Sequence, residues 1–265
     1  MTHPWFTAST RPRVLAHRGL VTPDAAALGV SENSFAAVAE AHAAGAGYVE
    51  SDCHLSVDGV VVLFHDDTLT RVTGDPRPIA EVTTAELEDL MADRGGLITL
   101  EQALDAFPTL CFNLDVKAPG AAADAGRLVA PHADRVLLTS FSDARRRTAL
   151  AAAAAAGGTP ATSGGSGTIA RAVAAAALRS DRLLARALAG IDALQVPERH
   201  NGMRILTPRL LAAAHRHGVE VHVWTIDEPA DMTRLLDMGV DGLVTDRADI
   251  ALSLVAGRGG PEHPL

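Results

Sequence analysis

Cysteine, aromatic residues and clusters of positive charge are all scarce in this chain of 265 residues. Two cysteines, Cys53 and Cys111, cannot build a disulfide framework, so we interpret them as buried or partly buried side chains in a reducing compartment. Aromatic residues make up only 3% of the chain, so its core must consist mainly of Ala, Val and Leu. The composition therefore indicates a fold held together by aliphatic packing.

The chain also lacks a block of basic residues and a long apolar run. Its net charge is −9 and its pI is near 5.6, which argues against a nucleic-acid partner and against attraction to an anionic membrane. Residues 1–12 hold no apolar segment of signal-peptide length, and the apolar stretch 149–156 is too short to cross a bilayer. We expect a cytoplasmic protein with no integral membrane segment; a secreted protein whose signal has been removed is the alternative. Protein partners are left unknown by the sequence.

Strand-like and helix-like segments alternate along the chain. Strands are predicted at 14–17, 48–52, 111–117, 135–140, 159–163, 193–196, 219–225 and 242–245. Helices are predicted at 34–44, 100–106, 121–129, 143–156, 168–178, 180–188, 207–217, 228–238 and from 247 or 248 to 255. This alternation over 265 residues predicts an α/β fold, a (β/α)₈ TIM barrel, as a single domain over residues 1–265.

One region departs from this alternation. Asp58-Gly59 predicts a tight turn into a further strand at 60–64. Residues 67–96 then hold a proline-rich bend and a helical piece ending at Met91, and we interpret them as a small insertion over the barrel mouth that shapes a substrate pocket. A plain surface insertion is the alternative. The glycine-rich region 157–167 is interpreted as loops, and residues 257–265 as a frayed tail.

Two carboxylates share one face of the second predicted strand. Side chains alternate along a strand, so Glu50, Asp52 and His54 should point to one side. Two acids so close repel each other unless positive charge lies between them, and Mg²⁺ or Ca²⁺ takes such oxygen ligands. A solvent-facing edge strand with two exposed acids is the alternative. We expect His54, beyond the strand end, to have a rim or structural role.

Two histidines stand at the ends of apolar runs. His17 follows Val14-Leu15-Ala16, and His65 follows 60–64. Histidine titrates near neutral pH, so a pair of histidines can supply one general acid and one general base. Because the carboxyl ends of barrel strands meet at one face, His17 and His65 are expected near Glu50 and Asp52.

These motifs are part of a longer ordered series that resembles the glycerophosphodiester phosphodiesterase family. The series consists of His17-Arg18-Gly19, Glu32-Asn33-Ser34, Glu50-x-Asp52, Asp58-Gly59, His65-Asp66, Asn113-x-Asp115-x-Lys117, Leu138-Thr139-Ser140-Phe141, Val223-Trp224-Thr225 and Asp241 to Asp246. It spans nearly the whole chain. A lone His-Arg-Gly would be weak evidence, whereas the ordered series is specific.

The resemblance implies metal-dependent hydrolysis of a glycerophosphodiester to glycerol 3-phosphate and an alcohol. One divalent cation, Mg²⁺ or Ca²⁺, is expected on Glu50, Asp52 and Asp115. Arg18 and Lys117 are expected to bind the phosphate. The attacking group is water or the neighbouring 2-hydroxyl of the substrate, and the sequence does not decide which of the two histidines is the acid.

Two further residues are expected at the substrate. Glu32 would contact the metal or the substrate hydroxyls, or it would hold the loop after the first strand. Trp224 would pack against the glycerol carbons, or it would be a large core residue at the barrel mouth. The family most often has Glu at the position of Asp115, whose carboxylate lies about 1.5 Å nearer its strand. Because Ca²⁺ tolerates loose geometry better than Mg²⁺, this departure leaves the identity of the metal open.

Three other functions are alternatives. A lysophospholipase D or sphingomyelinase D type of enzyme would use the same chemistry on a lipid, but it needs an apolar trough, and 67–96 has few large apolar side chains. A barrel that only binds a ligand predicts the loss of a catalytic group. A two-metal nuclease would require more carboxylates and a basic groove. A small phosphodiester is the favoured substrate, and the alcohol it carries is left open.

Overall fold

The computed structural model describes residues 2–9 and 11–258. Its strands are β1 (Arg13–His17), β2 (Tyr48–Leu55), β3 (Val61–Leu63), β4 (Cys111–Val116), β5 (Val136–Thr139), β6 (Ala161–Thr162), β7 (Ala193–Pro197), β8 (Arg199–His200), β9 (Met203–Arg204), β10 (Glu220–Trp224) and β11 (Gly242–Thr245).

The α-helices alternate with these strands. They are α1 (Pro23–Ala27), α2 (Phe35–Ala43), α3 (Thr70–Thr73), α4 (Thr84–Met91), α5 (Leu100–Ala106), α6 (Ala121–Val129), α7 (Asp143–Ala155), α8 (Ser166–Ala177), α9 (Asp181–Leu188), α10 (Pro208–Arg216), α11 (Pro229–Met238) and α12 (Ala248–Arg258). None of the helices in the described ranges is long and apolar enough to cross a membrane.

Eight parallel strands of the described residues form the predicted barrel. They pair in the order β6, β5, β4, β2, β1, β11, β10, β7, and a parallel bridge between Ser163 and Ala193 joins the two ends of this series. Strand β3 lies outside the barrel, antiparallel to β2, after the turn at Asp58-Gly59. The (β/α)₈ barrel with an insertion after its second strand is thus confirmed.

Two apolar layers follow from the alternation of side chains along the strands. Val14 and Ala16 of β1 pack outward against the helices, whereas Leu15 points into the barrel. The inner layer is closed below by Trp5, which is fully buried and donates its ring N–H to the carbonyl of Phe112. The barrel therefore has a packed floor, as expected for this architecture.

The insertion has a small apolar cluster of its own. Strand β3 separates the two sets, because Val61 and Leu63 join the main core while Val62 and Phe64 face the insertion. The small cluster consists of Val62, Phe64, Leu69, Ile79, Val82, Leu87 and Met91. The large apolar side chains of this cluster are therefore packed against one another.

Several local predictions need correction. Helix α2 begins at Phe35 and not at Ser34, which caps it: the Ser34 hydroxyl accepts from the N–H of Ala37. The preceding residue, Asn33, adopts a left-handed backbone with φ 54°. Helices α1 and α3 and the hairpin of β8 and β9 were not predicted. Helix α12 continues to Arg258, so the predicted tail is wrong at Gly257, and the rest of it lies outside the described residues.

Candidate active site

The carboxyl ends of the barrel strands surround one pocket. Its lining includes eight of the predicted site residues, namely His17, Arg18, Glu50, Asp52, His65, Asp115, Lys117 and Trp224. The ninth, Glu32, lines a neighbouring cavity together with His17, Arg71 and Asp246. The geometry thus assembles side chains that are up to 207 positions apart in the chain, from His17 to Trp224.

The turn after β1 explains the sequence His17-Arg18-Gly19. Arg18 and Gly19 both have a left-handed backbone, with φ 56° and 89°, and the N–H of Arg18 donates to the carbonyl of Glu50 at 2.8 Å. A Cβ at Gly19 would lie 2.6 Å from the backbone of Ala37, so only glycine fits this approach to α2. This turn directs the Arg18 side chain toward the carboxylates of β2.

The carboxylates come from two neighbouring strands. Strands β2 and β4 pair so that Asp52 lies opposite Asp115 and Glu50 lies opposite Asn113. The Nζ atom of Lys117 lies 3.0 Å from Asp52 Oδ1 and 2.7 Å from Asp115 Oδ2. Asn113 and Asp115 therefore both face the pocket.

Burial and crowding of negative charge change the proton affinity of these groups. Burial, together with the nearby charges of Asp52 and Asp115, raises the pKa of Glu50 to about 8. Burial also raises the pKa of Asp115, against the opposing effect of the Lys117 ammonium. For Lys117, burial disfavours the charge, but Asp52 and Asp115 outweigh it and raise the pKa. Lys117 is thus held as a cation, and it offsets part of the acid cluster.

The oxygen donors of the pocket fit a hard divalent cation. Glu50 Oε2 and Asp115 Oδ1 are buried, and among the described residues neither has a hydrogen-bond partner. A cation such as Mg²⁺ or Ca²⁺ would satisfy both oxygens. Within the described ranges, no three His, Cys, Asp or Glu side chains already converge as a ligand set. The Lys117 ammonium lies between Asp52 and Asp115 and neutralises part of their charge.

Each of the two pocket histidines has a carboxylate on the same ring nitrogen. His17 Nδ1 lies 2.7 Å from Asp246 Oδ1, and His65 Nδ1 lies 2.6 Å from Asp66 Oδ1. In both rings this leaves Nε2 as the nitrogen that can exchange a proton with a ligand. Burial disfavours the charged form of His17, but the bond to Asp246 and the charge of Glu50 outweigh it and raise the pKa of His17.

Asp246 and Asn33, which bond to His17 and Asp52, had no predicted role. Asp246 follows β11 and is 229 positions from His17, so no local pattern relates them. Asn33 donates from Nδ2 to Asp52 Oδ2 at 3.1 Å and accepts from the Ser51 hydroxyl at 2.5 Å. The Asp241 to Asp246 and Glu32-Asn33-Ser34 motifs were the available signals. Both residues hold a predicted site residue in place.

The rest of the pocket wall is partly aromatic and partly glycine-rich. The rings of Phe141 and Trp224 meet edge to face with centroids 5.8 Å apart, and Lys117 Nζ lies 5.1 Å from the Phe141 ring. Gly164 and Gly165 line the pocket at the start of α8. The glycine-rich region 157–167 was expected to be loops, and its contribution to the pocket was missed.

His54 lies behind His65 and not in the pocket lining. It is 3% exposed, and its Nε2 lies 3.1 Å from the carbonyl oxygen of His65. Burial lowers the pKa of His54, against the effect of this hydrogen bond, so the ring is held neutral. A neutral ring can donate to the carbonyl, which suits the predicted structural role.

Comparison with known proteins identifies the family. The family model described as "Glycerophosphoryl diester phosphodiesterase family" matches residues 17–250. The chain is 34% identical over 249 residues to "Probable glycerophosphodiester phosphodiesterase 2" of Mycobacterium tuberculosis, covering 92% of this chain and 91% of the relative. It is 31% identical over 100 residues, 32% of each chain, to human "Lysophospholipase D GDPD1".

A solved structure has the same fold. An Oleispira antarctica phosphodiesterase, in complex with the product sn-glycerol-3-phosphate, superposes with a TM-score of 0.69 at 22% identity, covering 93% of this chain and 97% of the other. The ordered motifs, the barrel and the match over residues 17–250 all agree. The chain belongs to the glycerophosphoryl diester phosphodiesterase family.

Proposed function

We propose that the chain hydrolyses glycerophosphodiesters to glycerol 3-phosphate and a free alcohol. The observation that carries this proposal is the pocket that brings His17 and His65 together with Glu50, Asp52 and Asp115. Membership of the family and a relative of 34% identity over 92% of the chain support the same reaction. Hydrolysis of a phosphodiester needs charge neutralisation at phosphorus and proton transfer at two oxygens, and the pocket holds groups for both.

One divalent cation, Mg²⁺ or Ca²⁺, would be held by Glu50, Asp52 and Asp115. When bound, it would neutralise charge on the phosphate. The unpartnered oxygens of Glu50 and Asp115 support this ligand set. Asp52 is only 1% exposed and is oriented by Asn33, so it would present its carboxylate without reorganisation of the strand.

Arg18 and Lys117 would bind the remaining negative charge of the phosphate. The Arg18 guanidinium offers a planar fork of donors, whereas the Lys117 ammonium is a compact charge. Arg18 Nε is buried and lies 3.3 Å from Asp52 Oδ2, without a hydrogen-bond partner among the described residues. With Nε beside Asp52 and Nη1 bonded to Glu32, the guanidinium donors that these contacts leave would meet a bound oxyanion.

The two histidines would divide the proton transfers. One Nε2 would accept the proton of the attacking hydroxyl, and the other would donate a proton to the leaving alkoxide. His17 and His65 fit this scheme because each ring is oriented through Nδ1 by a carboxylate, at 2.7 and 2.6 Å. Trp224 would pack against the glycerol carbons, and Glu32 would act through Arg18, to which it is paired at 2.6 Å.

The first experiment measures the release of glycerol 3-phosphate from a panel of glycerophosphodiesters. Choline, ethanolamine, glycerol and inositol derivatives would be compared with Mg²⁺, with Ca²⁺ and after chelation. We expect release that requires a metal and that is strongest for one head group. No release from any of them by the folded, metal-supplemented protein would refute the proposal.

A lysophospholipase D type of reaction is the second candidate. The similarity to the human lysophospholipase D covers 32% of the chain, and it supports the same chemistry on a lysolipid. The inward packing of Leu69, Ile79 and Leu87 in the insertion favours a small substrate instead. Adding lysophospholipids to the panel separates the two: release of lysophosphatidic acid and the free alcohol from them, with no glycerol 3-phosphate from the glycerophosphodiesters, would favour the lipid substrate.

A further inference from the structure

A line of alternating charges leads from the rim of the pocket to its interior. Each adjacent pair lies within 2.6–3.3 Å, and five of the eight side chains line the pocket. In order, the line is His65, Asp66, Arg71, Glu32, Arg18, Asp52, Lys117 and Asp115. The groups proposed for proton transfer and for phosphate binding are thus connected through ion pairs.

Arg71 is the link of this line that belongs to the insertion. It lies in α3, its side chain is 50% exposed, and it lines the neighbouring cavity. Its Nε donates to Asp66 Oδ2 at 2.7 Å, and its Nη2 donates to Glu32 Oε1 at 2.6 Å. One guanidinium therefore joins a carboxylate after β3 to a carboxylate in the loop after β1.

Both carboxylates that Arg71 holds act on pocket residues. Asp66 contacts Nδ1 of His65 at 2.6 Å through its other oxygen, and Glu32 accepts from Arg18 at 2.6 Å. The Arg71 bond, with that of His65, lowers the pKa of Asp66 to about 2 despite partial burial. Without Arg71, Glu32 would keep its bond to Arg18 and Asp66 would keep its contact with His65. No side-chain bond would then connect the two pairs.

The stability gained from such an exposed link is small. Single exposed ion pairs contribute about 0–1 kcal/mol, so the fold does not depend on Arg71. Orientation is a different matter, because loss of a residue that orients a reacting side chain typically costs about 10–100-fold in activity. The position of Arg71, between two residues that hold pocket side chains, fits an effect on the reaction more than on folding.

We propose that Arg71 is a positioning residue that holds the His65–Asp66 pair and the Arg18–Glu32 pair in one fixed arrangement. The proposal rests on the proposed function, since it assigns proton transfer to His65 and phosphate binding to Arg18. It gives the insertion a part in the reaction that runs through Asp66 and Glu32, the two carboxylates that Arg71 binds.

The chain offers a matched control in Arg77. Arg77 lies in the same insertion, is 41% exposed and bridges two carboxylates in the same way, with Asp75 at 2.8 Å and Glu86 at 2.9 Å. Among the described residues, the side-chain hydrogen bonds and ion pairs of Asp75, Arg77 and Glu86 all stay inside the insertion. Arg77→Ala thus removes an equivalent ion-pair bridge that is not bonded to a described pocket residue.

The kinetic test compares Arg71→Ala, Arg71→Lys and Arg77→Ala with the parent protein. We expect Arg71→Ala to lower both kcat and kcat/KM at least about tenfold, because a lost positioning contact acts on the transition state. The kcat of Arg71→Lys should lie between those of the parent and Arg71→Ala, because an ammonium keeps the charge but lacks the planar fork of donors. Free guanidinium at non-denaturing concentration should restore part of the activity of Arg71→Ala and none to His65→Ala. Arg77→Ala should keep the parental rate.

Hydrogen exchange gives a readout that does not depend on activity. Arg71→Ala should speed amide exchange both in the segment around His65 and Asp66 and in the loop around Glu32, whereas Arg77→Ala should leave both unchanged. A parental kcat in Arg71→Ala, or unchanged exchange in both segments, would overturn the proposal. If the parent protein releases no glycerol 3-phosphate, the proposed function fails, and the exchange data still decide whether Arg71 couples the two loops.

Discussion

A test of the acid cluster uses Glu50→Gln in protein freed of metal by chelation. The raised pKa of Glu50, about 8 in place of its usual 4.5, means that the folded protein keeps a proton that the unfolded chain loses between these two values. The folded state then binds more protons than the unfolded state, so its stability must fall as the pH rises through this window. Gln is neutral at every pH and removes this dependence.

The size of the effect follows from the pKa. At about 1.4 kcal/mol for each pH unit, the interval from 4.5 to about 8 corresponds to at most about 5 kcal/mol. Relaxation of the pocket around the ionised Glu50 lowers this figure, so we expect about 2–5 kcal/mol. The stability of Glu50→Gln relative to the parent should therefore increase by this amount between pH 4.5 and 8.5.

Urea unfolding of both proteins across this pH range measures the difference. The same substitution at Glu40, which is exposed on α2, is the matched control and should give no pH-dependent difference. The stability of both proteins also falls with rising pH because of His17. Its raised pKa stabilises the fold at low pH, and this contribution is lost as the pH rises. A constant difference between parent and Glu50→Gln would show that Glu50 is ionised in the folded protein, contrary to the argument from burial.

Three further predictions concern the histidines, the metal and the barrel floor. His17→Ala and His65→Ala should each lower turnover at least about 10²-fold without unfolding the barrel; two variants of near-full activity, measured by glycerol 3-phosphate release, would refute the roles proposed for them. Asp115→Glu, which extends the carboxylate by about 1.5 Å, should shift the ratio of rates from Ca²⁺ toward Mg²⁺; an unchanged ratio would argue against Asp115 as a ligand. Trp5→Ala should lower the free energy of unfolding by about 3–5 kcal/mol, because a fully buried ring is removed, and denaturant titration that shows less than about 1 kcal/mol would contradict the packing of the floor.

The barrel was readable from the sequence because its signals are local. The apolar run of β10 and the closing Gly218 and Gly239 of the neighbouring helices mark elements without reference to the rest of the chain. The hairpin of β8 and β9 was missed because its strands have two residues each, of which only Met203 is apolar. Asn201-Gly202, both with positive φ, was the signal that could have indicated it.

The candidate site was readable only in part, for a physical reason. Strand alternation and motif order placed Glu50, Asp52 and Asp115 together. The contacts that orient the site join distant segments, and tertiary contacts override local preference. Asparagine is a favoured N-cap residue. The amide of Asn33 nevertheless binds Asp52, 19 positions away, and Ser34 caps the helix. No pattern within either segment carries that information.

The separate apolar cluster of the insertion bears on how this enzyme scaffold can change. The part of the mouth that carries His65 and Arg71 rests on side chains such as Phe64 and Leu69, which pack with one another and not with the helices around the barrel. Regions with their own small core can open with a lower free energy than the whole molecule. Substitutions there can reshape or loosen the rim while the eight-stranded frame keeps its stability, so substrate preference and thermal tolerance can evolve, or be engineered, one at a time.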